Sequence, residues 1–318
     1  MSGIGIQPRR ARRGVLGFTL IELLVAVGVL SLIVLVLFRI FDQTQRALRG
    51  NVAQVDVLEG GRAILELLGR ELEQMASPRE GTNFATFYVG LVATNRILDL
   101  PGTGPQATRL NSLQAVYFLR PNRTTGTNRL WDVNYYQILA FTPTNGQAGG
   151  GSQPLVLRAD PPWEGVGSLA RRTATLDLAW TNTGAFFDLL SRTDLDSLNR
   201  FSRVADGLVH FRVTPLDSRG MPLELEYLRR GTNPYPEVLI TNRLAPVPSI
   251  QTFFYGSAVP AALELEVGIL EPQAVERWRA LPTPAARARF LTNQAARIHY
   301  FQQRIPVRSA PRLMPSQP

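Results

Sequence analysis

One carboxylate in this chain stands where water should be absent. Glu22 is the only charged residue in the run 18–38, which otherwise holds apolar residues, Gly28 and the two hydroxyls of Thr19 and Ser31. A charged side chain inside hydrocarbon costs roughly 2.5–3.5 kcal/mol on insertion scales, so it is seldom there without a partner. The chemistry open to Glu22 is ion pairing with an opposite charge brought alongside it in a dry setting.

Residue types for covalent or metal chemistry are sparse elsewhere. There is no Cys, and His210 and His299 are the only histidines. His210 falls in an alternating apolar segment and reads as a core or surface residue. His299 falls in an Arg-rich stretch that reads as helical and exposed. Two isolated histidines without clustered acids do not make a zinc site. Asp194-Leu195-Asp196 lacks the rest of a calcium loop. Residues 102–107 match the letters of a dinucleotide fingerprint, but no acid follows about 20 positions on and the context is loop-like. No nucleophile and base suggest themselves as a set. The expectation is a protein that is not an enzyme and takes no metal, cofactor or small-molecule substrate.

The element that positions Glu22 is a membrane span over residues 18–38. Twenty-one residues at about 1.5 Å each cover roughly 32 Å, close to a ~30 Å hydrocarbon core. Arg9, Arg10, Arg12 and Arg13 precede it with no acid, which places the N-terminus in the cytoplasm. No Ala-x-Ala cleavage signal follows; Arg39 and a continuing helical pattern do. A plain signal anchor satisfies the hydropathy but leaves Glu22 unexplained.

The hexapeptide Gly17-Phe18-Thr19-Leu20-Ile21-Glu22 resembles the class III signal of type IV pilin-like proteins. The resemblance implies cleavage by a prepilin peptidase between Gly17 and Phe18, then N-methylation of Phe18. It also implies an assembly role for Glu22, whose carboxylate would neutralise the N-terminal amine of a neighbouring subunit. The strict match covers about 25 of the 318 residues.

Composition bounds the remainder. The net charge is +9, and removing the four leader arginines leaves +5; every basic residue is Arg. No dense basic patch interleaved with aromatics stands out, so a nucleic-acid partner is not expected. Without Cys the head must be stable without disulfides. A hydrophobic fraction of 45% supplies a core.

Beyond the span, Ile40, Leu48, Val52, Val55, Leu58, Leu65, Leu68, Leu72 and Met75 recur mostly at helical spacing, which predicts an amphipathic continuation over 39–76. Ser77-Pro78 ends it. Gly60-Gly61 marks a bend or a close helix–sheet contact. Residues 79–170 read as loop-rich, with linkers at 101–105 and 146–152. Strand-like runs lie at 113–119, 135–141, 155–157, 176–180, 208–213, 223–227 and 263–267. Residues 274–300 read as helix broken at 281–284, and 309–318 as a disordered tail. The expected fold is α+β and pilin-like: a long N-terminal helix, transmembrane in its first half, packed on antiparallel sheet, with a late helical insertion. The domain reading is a basic leader 1–17, the span 18–38, the helical continuation 39–76, a periplasmic head 77–308 and the tail.

Residues 206–217, Asp-Gly-Leu-Val-His-Phe-Arg-Val-Thr-Pro-Leu-Asp, and 259–267, Val-Pro-Ala-Ala-Leu-Glu-Leu-Glu-Val, are similar to segments of the type II secretion minor pseudopilin J family. The chain departs from that family in lacking a Trp after the Asp turn and in longer loops near 80–110, 143–170 and 271–298. The resemblance implies a minor pseudopilin at the tip of a pseudopilus that supports export across the outer membrane. Its implied partners are other minor pseudopilins, the major pseudopilin, the prepilin peptidase and the inner membrane. The chain would cross that membrane once, with its head in the periplasm. A minor pilin of a type IV pilus fits these lengths too, and a membrane-anchored periplasmic enzyme or binding module is a further reading.

Overall fold

The computed structural model describes residues 19–78, 85–99, 108–122, 130–140, 155–156, 165–177, 201–231, 235–243 and 249–308. Outside them fall the leader, the Gly17–Phe18 bond, both linkers, the 102–107 fingerprint, Asp194 and Asp196, residues 178–180 of one expected strand, and the tail. The chain divides into two compact units, with the boundary between residues 52 and 53.

Helix α1 runs Leu20–Glu73. In the first unit its apolar side chains are exposed on every side. An 18-residue window reaches a mean hydropathy of 3.0 with none of it buried, so the helix is long and apolar enough to cross a membrane. Ser31 turns its hydroxyl back to Val27 O at 2.8 Å, which satisfies a polar group inside the apolar run.

In the second unit α1 buries Ala53, Val57, Gly61, Ile64, Leu68 and Leu72, at spacings of four and three, and Met75 just past its end is buried too. The expected stripe was partly out of phase. Leu68, Leu72 and Met75 are buried, but Leu48, Val52, Val55 and Leu58 are exposed. The buried row includes two small residues, Ala53 and Gly61, which let the helix axis come close to its neighbours there. Gly61 is the site of the close contact anticipated from sequence: a Cβ there would meet the Phe301 ring, whereas Gly60 faces open space.

The described strands are β1 (Ala85–Asp99), β2 (Thr108–Pro121), β3 (Leu130–Ala140), β4 (Leu155–Val156), β5 (Gly167–Asp177), β6 (Ser202–Leu216), β7 (Val238–Arg243), β8 (Ser249–Tyr255), β9 (Ala262–Leu270) and β10 (Ile298–Pro306). They form one sheet in the order β10-β9-β6-β5-β3-β2-β1-β8-β7, with β4 beside β3. Neighbours along this order pair antiparallel; a single parallel pairing joins Leu113 of β2 to Phe211 of β6. Among the described residues there are also helices α2 (Leu223–Arg230), α3 (Pro272–Arg279) and α4 (Pro284–Asn293) and a 3-10 turn at Ala295–Arg297. A long apolar helix with a sheet-rich remainder is α+β, as the sequence implied.

Two elements differ from expectation. Residues 223–227 alternate with period two yet form α2. Pro222 precedes the helix, Gly231 closes it at φ 69°, and Glu226 pairs with Arg229 and Arg230 one turn on. These local helical contacts override the alternation. The helix expected to reach residue 300 ends at Asn293, and Ile298–Pro306 pairs along its whole length with β9. Residues 79–170 also hold more strand than the loop-rich reading allowed, β1 above all.

The main core lies between α1 and the sheet, around Leu68, Leu72, Phe87, Phe118, Phe211 and Leu265. A smaller core sits under α3 and α4, where Trp278 and Leu291 meet Val209 and Ile298.

Candidate assembly site

Glu22 sits in the first turn of α1. Its Oε2 accepts from Thr19 N at 2.9 Å and from Thr19 Oγ1 at 2.9 Å, while Glu22 N donates to Thr19 Oγ1 at 3.4 Å. This reciprocal pairing is a capping box: Thr19 is the cap and Glu22 the third helical residue. It satisfies donors at the helix start and holds a negative charge where the helix dipole favours one. The sequence signal, Thr-x-x-Glu before an apolar run, was present in the hexapeptide and was passed over in favour of a partner on another chain. Gly17 and Phe18 lie outside the described residues.

The carboxylate is therefore tethered and still approachable, since the first turn of α1 is exposed. One Glu22 oxygen carries the Thr19 bonds, and a carboxylate has lone pairs on both oxygens for an additional donor. The arrangement can take an ammonium or another cation without giving up its cap.

A second polar anchor fixes α1 on the sheet. Glu71 is buried, accepts from the Tyr136 hydroxyl at 2.6 Å and pairs with Arg171 at 2.5 Å, with Arg120 at 3.9 Å. Arg120 also bonds Asp132 at 3.2 Å. Burial, then the bond to Glu71, pushes the Tyr136 hydroxyl far above the ordinary phenol range. One carboxylate on the helix thus reads three strands, β2, β3 and β5, and sets the rotation of α1 about its axis. No sequence pattern marked Glu71, because its partners come from residues 49 to 100 positions away.

The histidines have structural surroundings. His210 is buried; Nδ1 accepts from Ser112 N at 3.0 Å and Nε2 lies 3.1 Å from Glu266. His299 is in strand β10 rather than a helix, half-buried, with Nε2 3.3 Å from Glu271. Its exposed, helical reading is corrected: pairing with Ile269 of β9 draws it into the sheet. The Asp turn at 217 is closed by the Asp217 carboxylate, which accepts from Arg219 N and Met221 N at 2.9 Å each. Gly220 allows the turn with φ 80°.

Residues 12–38 match the family model described as the prokaryotic N-terminal methylation motif. No curated protein and no solved structure matches the chain. The matched segment takes in Gly17, Phe18, the Thr19–Glu22 cap and the apolar start of α1 as far as Phe38. The motif implies processing by a prepilin peptidase and assembly into a pilus-like polymer, and with the apolar helix it indicates a single-pass membrane anchor. By that motif the chain carries a type IV pilin-like N-terminal signal.

Proposed function

We propose that this chain is a minor pseudopilin, a non-enzymatic structural subunit at the tip of a type II secretion pseudopilus. The observation that carries the reading is the methylation motif, with an exposed carboxylate at the start of an apolar helix. On this reading the peptidase cuts between Gly17 and Phe18, Phe18 is methylated, and Glu22 receives the N-terminal amine of a neighbouring subunit. The head stands in the periplasm with a pilin-like fold, and its partners are the other minor pseudopilins and the major one. Two features support a tip position over a repeating shaft position. The second unit is large, with a ten-stranded sheet, and α3 and α4 enlarge it further between β9 and β10. The segments 206–217 and 259–267 that resemble the minor pseudopilin J family fall largely in the paired strands β6 and β9, next to the β10 edge of the sheet.

Deletion of the gene, with export of outer-membrane-crossing proteins and surface pili both measured, tests the reading. Loss of export with pili intact is the expected outcome. Loss of pili with export intact would place the chain in a type IV pilus instead.

A further inference from the structure

The sheet has a seam that side chains hold. Strand β6 pairs with β9 between Leu208 and Leu216, and β9 pairs with β10 over Ala262–Leu270, so these three strands form one block. On its other side β6 pairs with β5 only between Ser202 and Leu208. Past Leu208 its neighbour there, among the described residues, is β2, and a single backbone pairing joins them, Leu113 to Phe211. The backbone donors that flank this pairing go to side chains of the opposite strand. Val213 N donates to Gln114 Oε1 at 2.6 Å, and Ser112 N donates to His210 Nδ1 at 3.0 Å. Tyr300 of β10 adds a third stitch, its hydroxyl donating to Asn111 Oδ1 of β2 at 3.0 Å.

Of these stitches only the one at His210 can be lost to acid. His210 is buried, and the β6–β9 register shifts beside it, between Leu208 and His210, as at a bulge that re-aims a side chain. Gly268 leaves room for the ring; a Cβ there would come within 2.8 Å of the His210 Cβ. Because Nδ1 accepts a backbone N–H, it carries no proton; Nε2 carries it and donates to Glu266 Oε2 at 3.1 Å. A second proton must go to Nδ1, where it points at Ser112 N–H, so two donors face each other and the bond is lost. Around the ring, Glu266 of β9 keeps its bond to Nε2 in either charge state and stays with the ring, because β9 and β6 are paired. Tyr300 of β10 lies edge-on at 5.9 Å. From β2 come Ser112 and Asn111, neither of them ionisable. On β6 itself Arg212 is next on this face, and its charge is met by Glu224 of α2 at 3.4 Å.

We propose that His210 is a proton-sensitive latch on the β2–β6 seam. With the ring neutral the seam is closed; a proton on Nδ1 releases Ser112, and the β6–β9–β10 block loosens from β2. The closed seam holds the ring with a proton on Nε2 alone, while the released ring can hold both protons against Glu266. Opening therefore takes up a proton, and acid favours it. Histidine is the side chain that changes charge between about pH 5 and 8, and the chain's other one, His299, bonds Glu271 and takes no part in the seam. The latch belongs to the head alone and operates in or out of a fibre.

Hydrogen exchange of the full-length protein in detergent, read by mass spectrometry and corrected for the intrinsic effect of pH, tests the latch. Peptides covering residues 110–116 and 209–215 should lose protection about tenfold between about pH 7.5 and about pH 5, the scale of one buried hydrogen bond. Peptides from the continuous β3–β5 ladder, residues 131–138 and 169–176, should hold theirs. His210→Asn, whose amide oxygen can take the Ser112 bond and cannot titrate, should abolish the response. Glu266→Gln keeps an acceptor for Nε2 but drops the charge that favours the cation, so it should move the loss to lower pH. His299→Gln should leave the response unchanged. Equal protection at the two pH values would overturn the latch, as would an equal loss in the β3–β5 peptides or a response that survives in folded His210→Asn. If His210→Asn does not fold, an unshifted response in Glu266→Gln overturns it.

Discussion

Glu22 has two roles to separate, and their magnitudes differ. As a capping partner of Thr19 it is worth about 0.5–2 kcal/mol to the helix start. As one half of a buried ion pair its removal costs about 3–5 kcal/mol, because the partner charge is left alone. Thr19→Val removes the two bonds of the Thr19 hydroxyl and keeps the backbone bond and the carboxylate; Glu22→Ala removes the carboxylate and both bonds it accepts. If Glu22 pairs with a neighbouring amine, Glu22→Ala should lose most co-purifying pilin-like subunits while Thr19→Val keeps most of them. Glu22→Asp should fall between, since the shorter arm misplaces the charge. Equal losses for Thr19→Val and Glu22→Ala, at matched membrane levels, would reduce Glu22 to a helix cap.

At the scale of elements, the glycine pair in α1 gives a two-sided expectation. Gly60 faces open space, so Gly60→Ala should stabilise the second unit by about 1 kcal/mol through helix propensity alone. Gly61 lies under the Phe301 ring, so Gly61→Ala must displace that ring and should destabilise by about 1–3 kcal/mol as overpacking does. Thermal unfolding of the detergent-solubilised protein should move in opposite directions for the two. A common direction would mean that α1 does not sit on β10 as described.

What could be read from sequence follows how local each determinant is. Helix α1 and its end near Ser77-Pro78 were legible, because hydropathy, periodicity and a proline are local signals; the helix stops at Glu73. Strands β2, β3, β6 and β9 were legible from their apolar runs. Strand β10 was not: His299, Tyr300, Gln302, Gln303 and Arg304 show no clean alternation, as suits a strand that ends the sheet order. Helix α2 was misread because Leu-Glu-Leu-Glu alternates like a strand, and its real determinants are Pro222, Gly231 and the Glu226–Arg230 pair. At the candidate site, the hexapeptide disclosed Glu22 but the partner on its own chain, Thr19, was overlooked. Glu71 was invisible, because its meaning depends on Tyr136 and Arg171 arriving from distant strands.

The whole molecule should be sensitive to alkali. Tyr117, Tyr135 and Tyr136 are held far above the ordinary phenol pKa of 10, burial being the largest cause for each, and burial with the nearby Asp217 raises Tyr235 to about 12. The folded state keeps these protons after the unfolded chain has begun to release them. Their contribution is complete below about pH 10 and is lost as pH rises through the folded values, at up to about 1.4 kcal/mol per pH unit for each group. A steep fall in stability between pH 10 and 12 is expected, with the slope reduced in Tyr235→Phe. A flat profile across that window would contradict the packing around these rings.

Entry of this chain into a pilus-like fibre turns on one bond. Intact-mass and peptide analysis of the chain taken from membranes of cells with an active prepilin peptidase should find Phe18 at the N-terminus, carrying one added methyl group. Gly17→Leu should leave the leader attached, because a bulky side chain there blocks close approach to the scissile backbone. A mature chain that begins at any other residue, or one that keeps Met1 beside a correctly processed control pilin, would contradict the assignment of this protein to a pilus-like fibre.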